Sequence, residues 1–162
     1  MNYRTGIGYD IHRLVRLRKL WLGGIEIPHA KGLLGHSDAD VLLHALCDAL
    51  LGAINAGDIG THFPDTDAKY KNISSVELLI RVARIVSRES YDINNIDAVV
   101  ILESPKLAHY RHQIQKKISD TLKIKEGKVS VKAKTNEGLG EIGKKQAIAA
   151  YVIATLTKKV KK

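Results

Sequence analysis

The chain opens with two stretches rich in strand-forming residues. YRTGIGYDIHRLVRL (residues 3–17) and KLWLGGIEIP (19–28) both read as extended, with Gly23-Gly24 as a turn or bulge between them. The period then changes. In GHSDADVLLHALCDALLGAINAGD (35–58) apolar residues at 42, 43, 46, 49, 50 and 53 recur at helical spacing. Ser37 or Asp38 is placed to cap this helix, Gly52 lies near its end and Gly57 can stop it. GDIGTHFPDTD (57–67) is a turn-rich loop. SSVELLIRVARIVSRES (74–90) predicts a second amphipathic helix, with Ser74 or Ser75 as cap and Glu77 near the third helical position. NIDAVVILES (95–104) reads as a buried strand ended by Pro105, and LAHYRHQIQKKISDTLKI (107–124) as a third helix. KVSVKAKTNEGLG (128–140) reads as a strand running into a loop. KKQAIAAYVIATL (144–156) carries alanines that suit a helix, and Val, Ile and Tyr that suit a strand. We read it as a strand, because it follows a strand–turn pattern. These elements predict one α/β (α+β) domain with a β-α-β-α-β-β core, its mixed sheet carrying three helices on one face. The domain is expected over 1–157, with a short basic tail at 158–162.

Bulk composition narrows the class without naming a function. The chain has 162 residues, 44% hydrophobic and 27% charged, which suits one globular domain with a real core. No apolar run approaches the roughly 18 residues that span a bilayer, and the first motif begins too early to leave room for a signal peptide. The single cysteine, Cys47, excludes an internal disulfide and a cysteine-rich zinc fold, and reads as a small core residue of a protein in a reducing cytoplasm. The net charge of +9 invites a nucleic-acid reading. Part of it is the tail lysines Lys158, Lys159, Lys161 and Lys162, expected to fray, and another group is Arg13, Arg16, Arg18 and Lys19. With only 5% aromatic residues, none alternating with the basic ones, no stacking platform is present. A polyphosphate site accounts for the charge as well as a nucleic-acid surface does.

The chemistry concentrates near the histidines. On a strand, Asp10 and His12 point out of one face. On the first long helix His44 is one turn from both Asp40 and Asp48. Each group alone reads equally as a solvated face or a satisfied core residue. Together, Asp10, His12 and His44 form a two-histidine, one-carboxylate set, the arrangement of catalytic zinc with one position open. Periodicity permits their convergence without requiring it. HSDAD, GDIG and FPDTD gather carboxylates and hydroxyls either for capping and turns or to recognise a polyhydroxylated, phosphorylated small molecule. In AKTNEG (133–138), Lys134 is a cation, Thr135 a hydroxyl and Glu137 an oxygen ligand of the kind magnesium takes; the alternative is a strand end entering a turn. ESPK (103–106) is equally readable as a strand stop before a helix. Gly138, Gly140 and Gly143 match G-x-G-x-x-G, but too little chain follows to complete a dinucleotide-binding unit.

Taken in order and spacing, GYDIH, KGLLGHSDADVLLHALCDALLGA, GDIGTHFPDTD, SPK and KTNEGLGEIG resemble the 2-C-methyl-D-erythritol 2,4-cyclodiphosphate synthases, over nearly the whole chain. The resemblance implies that Asp10, His12 and His44 bind zinc or a similar divalent ion and that Glu137 holds magnesium or manganese. His36 and Thr135 match the positions that hold the reacting phosphates in line. Ser37, Asp58, Ile59, Gly60, Phe63, Pro64, Asp65, Thr66 and Asp67 would line the erythritol phosphate pocket. Leu102, Glu103, Ser104, Pro105, Lys106, Leu107, Ala108, Lys134 and Asn136 would receive the cytidine diphosphate end, with Glu141 and Lys144 also counted among the binding residues. The implied assembly is a homotrimer with sites between subunits, and the implied substrate is 4-diphosphocytidyl-2-C-methyl-D-erythritol 2-phosphate. Its 2-phosphate would attack the β-phosphorus and expel cytidine monophosphate. The implied setting is a bacterial cytoplasm, without membrane or nucleic-acid partners. Three positions depart from the family pattern, which often has an aromatic residue at Glu141, arginine at Lys144 and glutamate at Gln146. They lie near an axial cavity that holds isoprenoid diphosphates in some members, and Lys144 keeps the charge while losing the bidentate fork. Two rival readings are a zinc phosphoester hydrolase, which would release a linear product, and a basic nucleic-acid-binding module.

Overall fold

The computed structural model describes residues 3–159. The first segment is one long strand, β1 (Tyr3–Arg16), followed by β2 (Leu20–Leu22), β3 (Ile25–Ile27) and β4 (Lys31–Leu33). Then come α1 (Val41–Ala53), a single turn α2 (Ile59–His62), α3 (Ser75–Arg88), β5 (Tyr91–Ile101) and α4 (Arg111–Leu122). The chain closes with β6 (Val129–Lys134), the single turn α5 (Gly140–Gly143) and β7 (Ala147–Lys158). The sheet order is β4-β1-β7-β5-β6, with β2 and β3 forming a separate hairpin. Only β5 and β6 run parallel, so the sheet is mixed as expected.

One face of the sheet is covered by the three long helices. Their apolar stripes, such as Leu46, Leu79 and Ile118, share one core with the inward row of β7 and β5, including Ile148, Val152, Ala98 and Val100. The other face is open and unusually apolar. It carries Ile7, Tyr9 and Ile11 from β1 beside Tyr151 and Ile153 from β7, all 42–68% exposed. Across it, Tyr9, Tyr151, Val99 and Lys132 stand in one row of paired residues, and Ile7, Ile153, Asp97 and Ser130 in the next.

Several local expectations need correction. The cap of α1 is Asp40, not Ser37 or Asp38. Its buried carboxylate accepts from the backbone N–H of Leu43 at 3.1 Å, and from those of Gly23 (2.9 Å) and Gly24 (2.6 Å). Asp40 therefore locks the β2–β3 turn, where both glycines have positive φ, onto the start of the helix. Burial pushes its carboxyl up, against the pull of the Gly24 N–H. The helix ends at Ala53, before Gly57. At α3, Ser74 caps as expected, but Glu77 does not close the box; its carboxylate pairs with Arg81 at 3.1 Å. The ambiguous last segment is a strand. It runs through Lys158, and Lys159 donates from its backbone to Ser90 O (2.8 Å) and from Nζ to Ser87 Oγ (2.8 Å). These two lysines belong to the folded body; Lys161 and Lys162 lie outside the described residues. The G-x-G-x-x-G glycines form a tight turn, in which a Cβ on Gly143 would collide with the backbone of Gly138. Cys47 is fully buried, and burial pushes its thiol up. No helix among the described residues is long and apolar enough to cross a membrane.

Candidate active site

The site begins with two glycines. Gly6 and Gly8 face α1, and a Cβ on either would strike the carbonyl oxygen of Ala49 or Ala45. Strand and helix therefore approach more closely than any side chain would allow. The next two residues on that face are Asp10 and His12, and on the helix the neighbour of Ala45 is His44. The glycines thus set the distance at which the three polar residues meet.

They meet at one point. His12 Nε2 lies 2.9 Å from Asp10 Oδ2, His44 Nδ1 lies 3.0 Å from the same oxygen, and the two nitrogens are 3.1 Å apart. Donors around a tetrahedral zinc ion stand roughly 3.3–3.5 Å apart, so a small outward shift of this triangle accommodates one. Two imidazole nitrogens and a carboxylate oxygen are also the donor set that such an ion prefers. These residues fit a divalent cation. Asp10 and His44 shift each other's protonation. Burial opposes a charged Asp10, but hydrogen bonds from His12 and His44 outweigh it and hold the carboxyl well below its usual range. Burial likewise opposes a charged His44, and Asp10 overcomes it to raise the imidazole's pKa. Asp40 and Asp48, which share the His44 helix face in the sequence pattern, serve other purposes: Asp48 Oδ1 accepts the Ile59 N–H at 2.7 Å and anchors the next loop.

The triad opens onto a cavity of about 570 Å³. Its wall includes seven of the expected pocket residues, Ser37, Ile59, Gly60, Phe63, Pro64, Asp65 and Thr66, together with His36. Asp58 and Asp67 are not on that wall. Asp58 caps α2, accepting from the Thr61 N–H and hydroxyl at 2.8 Å each, and Asp67 pairs with Lys69 at 2.7 Å. Gly35, Tyr70, Ile73 and Leu78 complete the lining; their apolar character gave no hint of a site in the sequence. His36 Nε2 is buried and has no hydrogen-bond partner. Arg18 braces the loop beneath it, donating to Gly35 O (3.1 Å) and Ser37 O (2.7 Å), a role hidden in the sequence among other basic residues.

The second cluster lies across the sheet. Asp10 pairs with Ala150, Ala150 with Val100 and Val100 with Ala133, so AKTNEG sits three strands away, roughly 14 Å. There a cavity of about 310 Å³ is lined by Leu102, Pro105, Lys106, Leu107, Ala108, Lys134 and Thr135, together with Ala133 and the unanticipated Arg111. Glu103 and Asn136 turn elsewhere: Glu103 Oε1 accepts the N–H groups of Asn136 (2.9 Å) and Gly138 (3.3 Å), clamping the turn that carries Glu137. Glu137 has φ +51° and accepts the Thr135 hydroxyl at 2.5 Å. Ser104 is outside the cavity wall, and Glu141 and Lys144 pair with each other at 3.4 Å rather than lining either cavity. The two cavities share no residue.

Known proteins similar to this chain are numerous. A 2-C-methyl-D-erythritol 2,4-cyclodiphosphate synthase from Alkaliphilus metalliredigens is 56% identical over 153 residues, covering 94% of this chain and 96% of the relative. One from Pelotomaculum thermopropionicum is 56% identical over 155 residues, covering 96% of each. Among solved structures, the bifunctional IspDF of Campylobacter jejuni superposes with a TM-score of 0.94 at 42% identity; the match covers 97% of this chain but 42% of that longer one. IspF of Plasmodium falciparum, solved as a CDP complex, gives a TM-score of 0.86 at 39% identity over 98% of both chains. The YgbB family model matches residues 3–157, and the chain belongs to the YgbB family.

Proposed function

We propose that this chain is a 2-C-methyl-D-erythritol 2,4-cyclodiphosphate synthase of the non-mevalonate isoprenoid pathway, a phosphorus–oxygen lyase acting on 4-diphosphocytidyl-2-C-methyl-D-erythritol 2-phosphate. The observation that carries this reading is the meeting of Asp10 with His12 and His44, the two histidines lining a cavity sized for a small phosphorylated polyol. The match with enzymes of that name, 56% identical over nearly the whole chain, supports it.

In the proposed reaction an oxygen of the 2-phosphate forms a bond to the β-phosphorus. The bond from that phosphorus to the bridging oxygen breaks, and cytidine monophosphate leaves with the electron pair. Both reacting groups belong to one molecule, so the protein's main contribution is to hold them in line. His36 is suited to this task, since its buried, unpartnered Nε2 can hydrogen-bond a phosphate. Thr135 is suited to holding the other phosphate, and Lys106, Lys134 and Arg111 supply positive charge around the cytidine diphosphate cavity. Asp10, His12 and His44 would hold zinc or a similar ion, and Glu137 magnesium or manganese. When bound, such cations offset the charge of two crowded phosphates. Ser37, Asp58, Gly60 and the loop from Phe63 to Asp67 would take the erythritol phosphate.

Two features support the homotrimer with shared sites that the family resemblance implies. The triad and the AKTNEG cluster lie roughly 14 Å apart across one sheet, in separate cavities. The open face carries Ile7, Tyr9, Ile11, Tyr151 and Ile153, an apolar surface of the kind subunits cover. A neighbour's cytidine-binding cluster would then complete each metal-side pocket. We place the enzyme in the cytoplasm, acting without a membrane or nucleic-acid partner.

Phosphorus NMR of the purified protein with the diphosphocytidyl substrate tests the reading. The expected products are the cyclic diphosphate and cytidine monophosphate, both lost when metal is chelated. A linear phosphate product would replace this reading with a zinc hydrolase, and a folded, metal-replete protein without turnover would end it.

A further inference from the structure

The far side of His44 carries a second, fully connected set of groups. Its Nε2 lies 2.9 Å from Ser75 Oγ and 3.0 Å from Ser37 Oγ. Ser75 is fully buried at the start of α3 and is gripped twice by Asp38: its hydroxyl donates to Oδ1, and its N–H donates to Oδ2 at 2.9 Å. Asp38 is held in turn, its own N–H donating to Ile73 O at 3.1 Å.

With Asp38 as a carboxylate, these hydrogen bonds share their protons in one way. An ionised carboxylate only accepts, so Asp38 takes the single hydroxyl proton of Ser75. Ser75 Oγ then has only lone pairs to offer His44, and the imidazole must donate from Nε2. A neutral His44 protonated at Nε2 bears its lone pair on Nδ1, the atom aimed at Asp10 and His12. Asp10 pulls the other way. Its carboxylate 3.0 Å from Nδ1 favours a proton there, which is the form unable to bind a cation. Ser75 and Asp38 oppose that pull.

We propose that Ser75 and Asp38 are positioning residues for the metal centre, holding His44 with its proton on Nε2 and its bare Nδ1 toward the cation. A further consequence concerns Ser37. Its Oγ accepts the Ala39 N–H at 3.0 Å, and with His44 acting as a donor its own proton is not consumed there. That proton is left for a ligand in the cavity it lines. This inference rests on the metal reading of the triad, and neither serine nor aspartate would touch the ion.

Zinc affinity, measured by competition with a chromogenic chelator, tests it without reference to turnover. Ser75→Ala is expected to weaken zinc binding roughly ten- to a hundredfold, and Asp38→Asn to weaken it less, since an amide oxygen can still accept the hydroxyl proton. Ser75→Thr keeps the hydroxyl and should restore most of the affinity, which a merely space-filling role for Ser75 would not predict. Melting of the metal-free variants checks that each is folded. A folded Ser75→Ala protein with wild-type zinc affinity overturns the proposal, as does a Ser75→Thr protein as weak as Ser75→Ala. Wild-type protein that takes up no zinc would instead overturn the metal reading, and this proposal with it.

Discussion

The two halves of the candidate site are built to different standards. On the β1–α1 side, every donor is largely buried and held from behind: Asp10 and His12 by the strand, His44 by its contacts with Ser37 and Ser75, and the following loop by Asp48. On the β6 side, Lys134 and Glu137 are exposed, and the turn is held mainly by Glu103. The first half is preorganised by its own chain, whereas the second is a set of groups still open to solvent. Such asymmetry is expected where one half supplies a fixed metal centre and the other is finished by a neighbouring copy.

The largest effect should come from breaking the first half at its foundation. Gly8→Val drives a side chain into the Ala45 carbonyl, a backbone atom that cannot move aside cheaply. Overpacking typically costs about 1–3 kcal/mol, and this clash should exceed that range, lowering the melting temperature steeply or preventing folding. Gly52, with open space around its Cβ position, is the control: Gly52→Ala should raise stability by roughly 0.5–1 kcal/mol. Next in size is the loss of a metal donor. Asp10→Asn or His44→Ala should leave the fold intact and lower turnover by at least about a thousandfold, the worth of several kcal/mol of charge neutralisation. Wild-type rates in both variants would remove the triad from the mechanism.

The sharing of the site is tested by mixing. Glu137→Gln should cost about a hundredfold in turnover while leaving zinc affinity at the triad unchanged. Coexpressed Asp10→Asn and Glu137→Gln chains should regain a substantial fraction of activity, because some mixed sites draw an intact triad from one chain and an intact Glu137 from another. Lack of recovery in verified mixed oligomers would mean that each chain builds its own site, against the 14 Å separation estimated across the sheet.

The first half was also the more legible in sequence, and for a physical reason. Its determinants are local and periodic: alternate residues of one strand from Gly6 to His12, and one helix position, His44. Strand period and helix spacing permitted their meeting, and the family resemblance singled them out. Asp40 misled because a helix-face acid and an N-cap acid look alike until the partners, here the backbones of Gly23 and Gly24, are in place. Ser75 was read only as a cap, since its contacts with Asp38 and His44 span 37 and 31 residues. The β7 strand was decided by its neighbours rather than its own residues. Its alanines, ambiguous in isolation, are buried where β7 packs against α1. The second half is exposed in this chain, and no periodicity within one chain states what would cover the open sheet face.

The smallest predicted effect probes that face directly. Lys132 Nζ grips Asp97 bidentately at 2.5 and 2.6 Å, in rows that also hold Tyr9, Tyr151, Ile7 and Ile153. Lys132 is the main reason that the Asp97 carboxyl lies below its usual range. A carboxylate whose folded pKa is depressed adds stability above its unfolded pKa of about 3.9, and that stability is lost as pH falls through the folded value. Lys132→Ala should therefore destabilise at neutral pH and make little difference in strong acid. For a lone chain, with both side chains 42–48% exposed, the neutral-pH loss should be under about 1 kcal/mol and should shrink further in high salt. If neighbouring copies cover the face, the pair is desolvated and removal of Lys132 strands Asp97 against an apolar interface, so the cost should rise to a few kcal/mol and grow as the protein is diluted. Melting wild type and Lys132→Ala across pH and protein concentration separates the two cases. A small, concentration-independent loss would mean that the open face stays open and the second half of the site is complete without a partner.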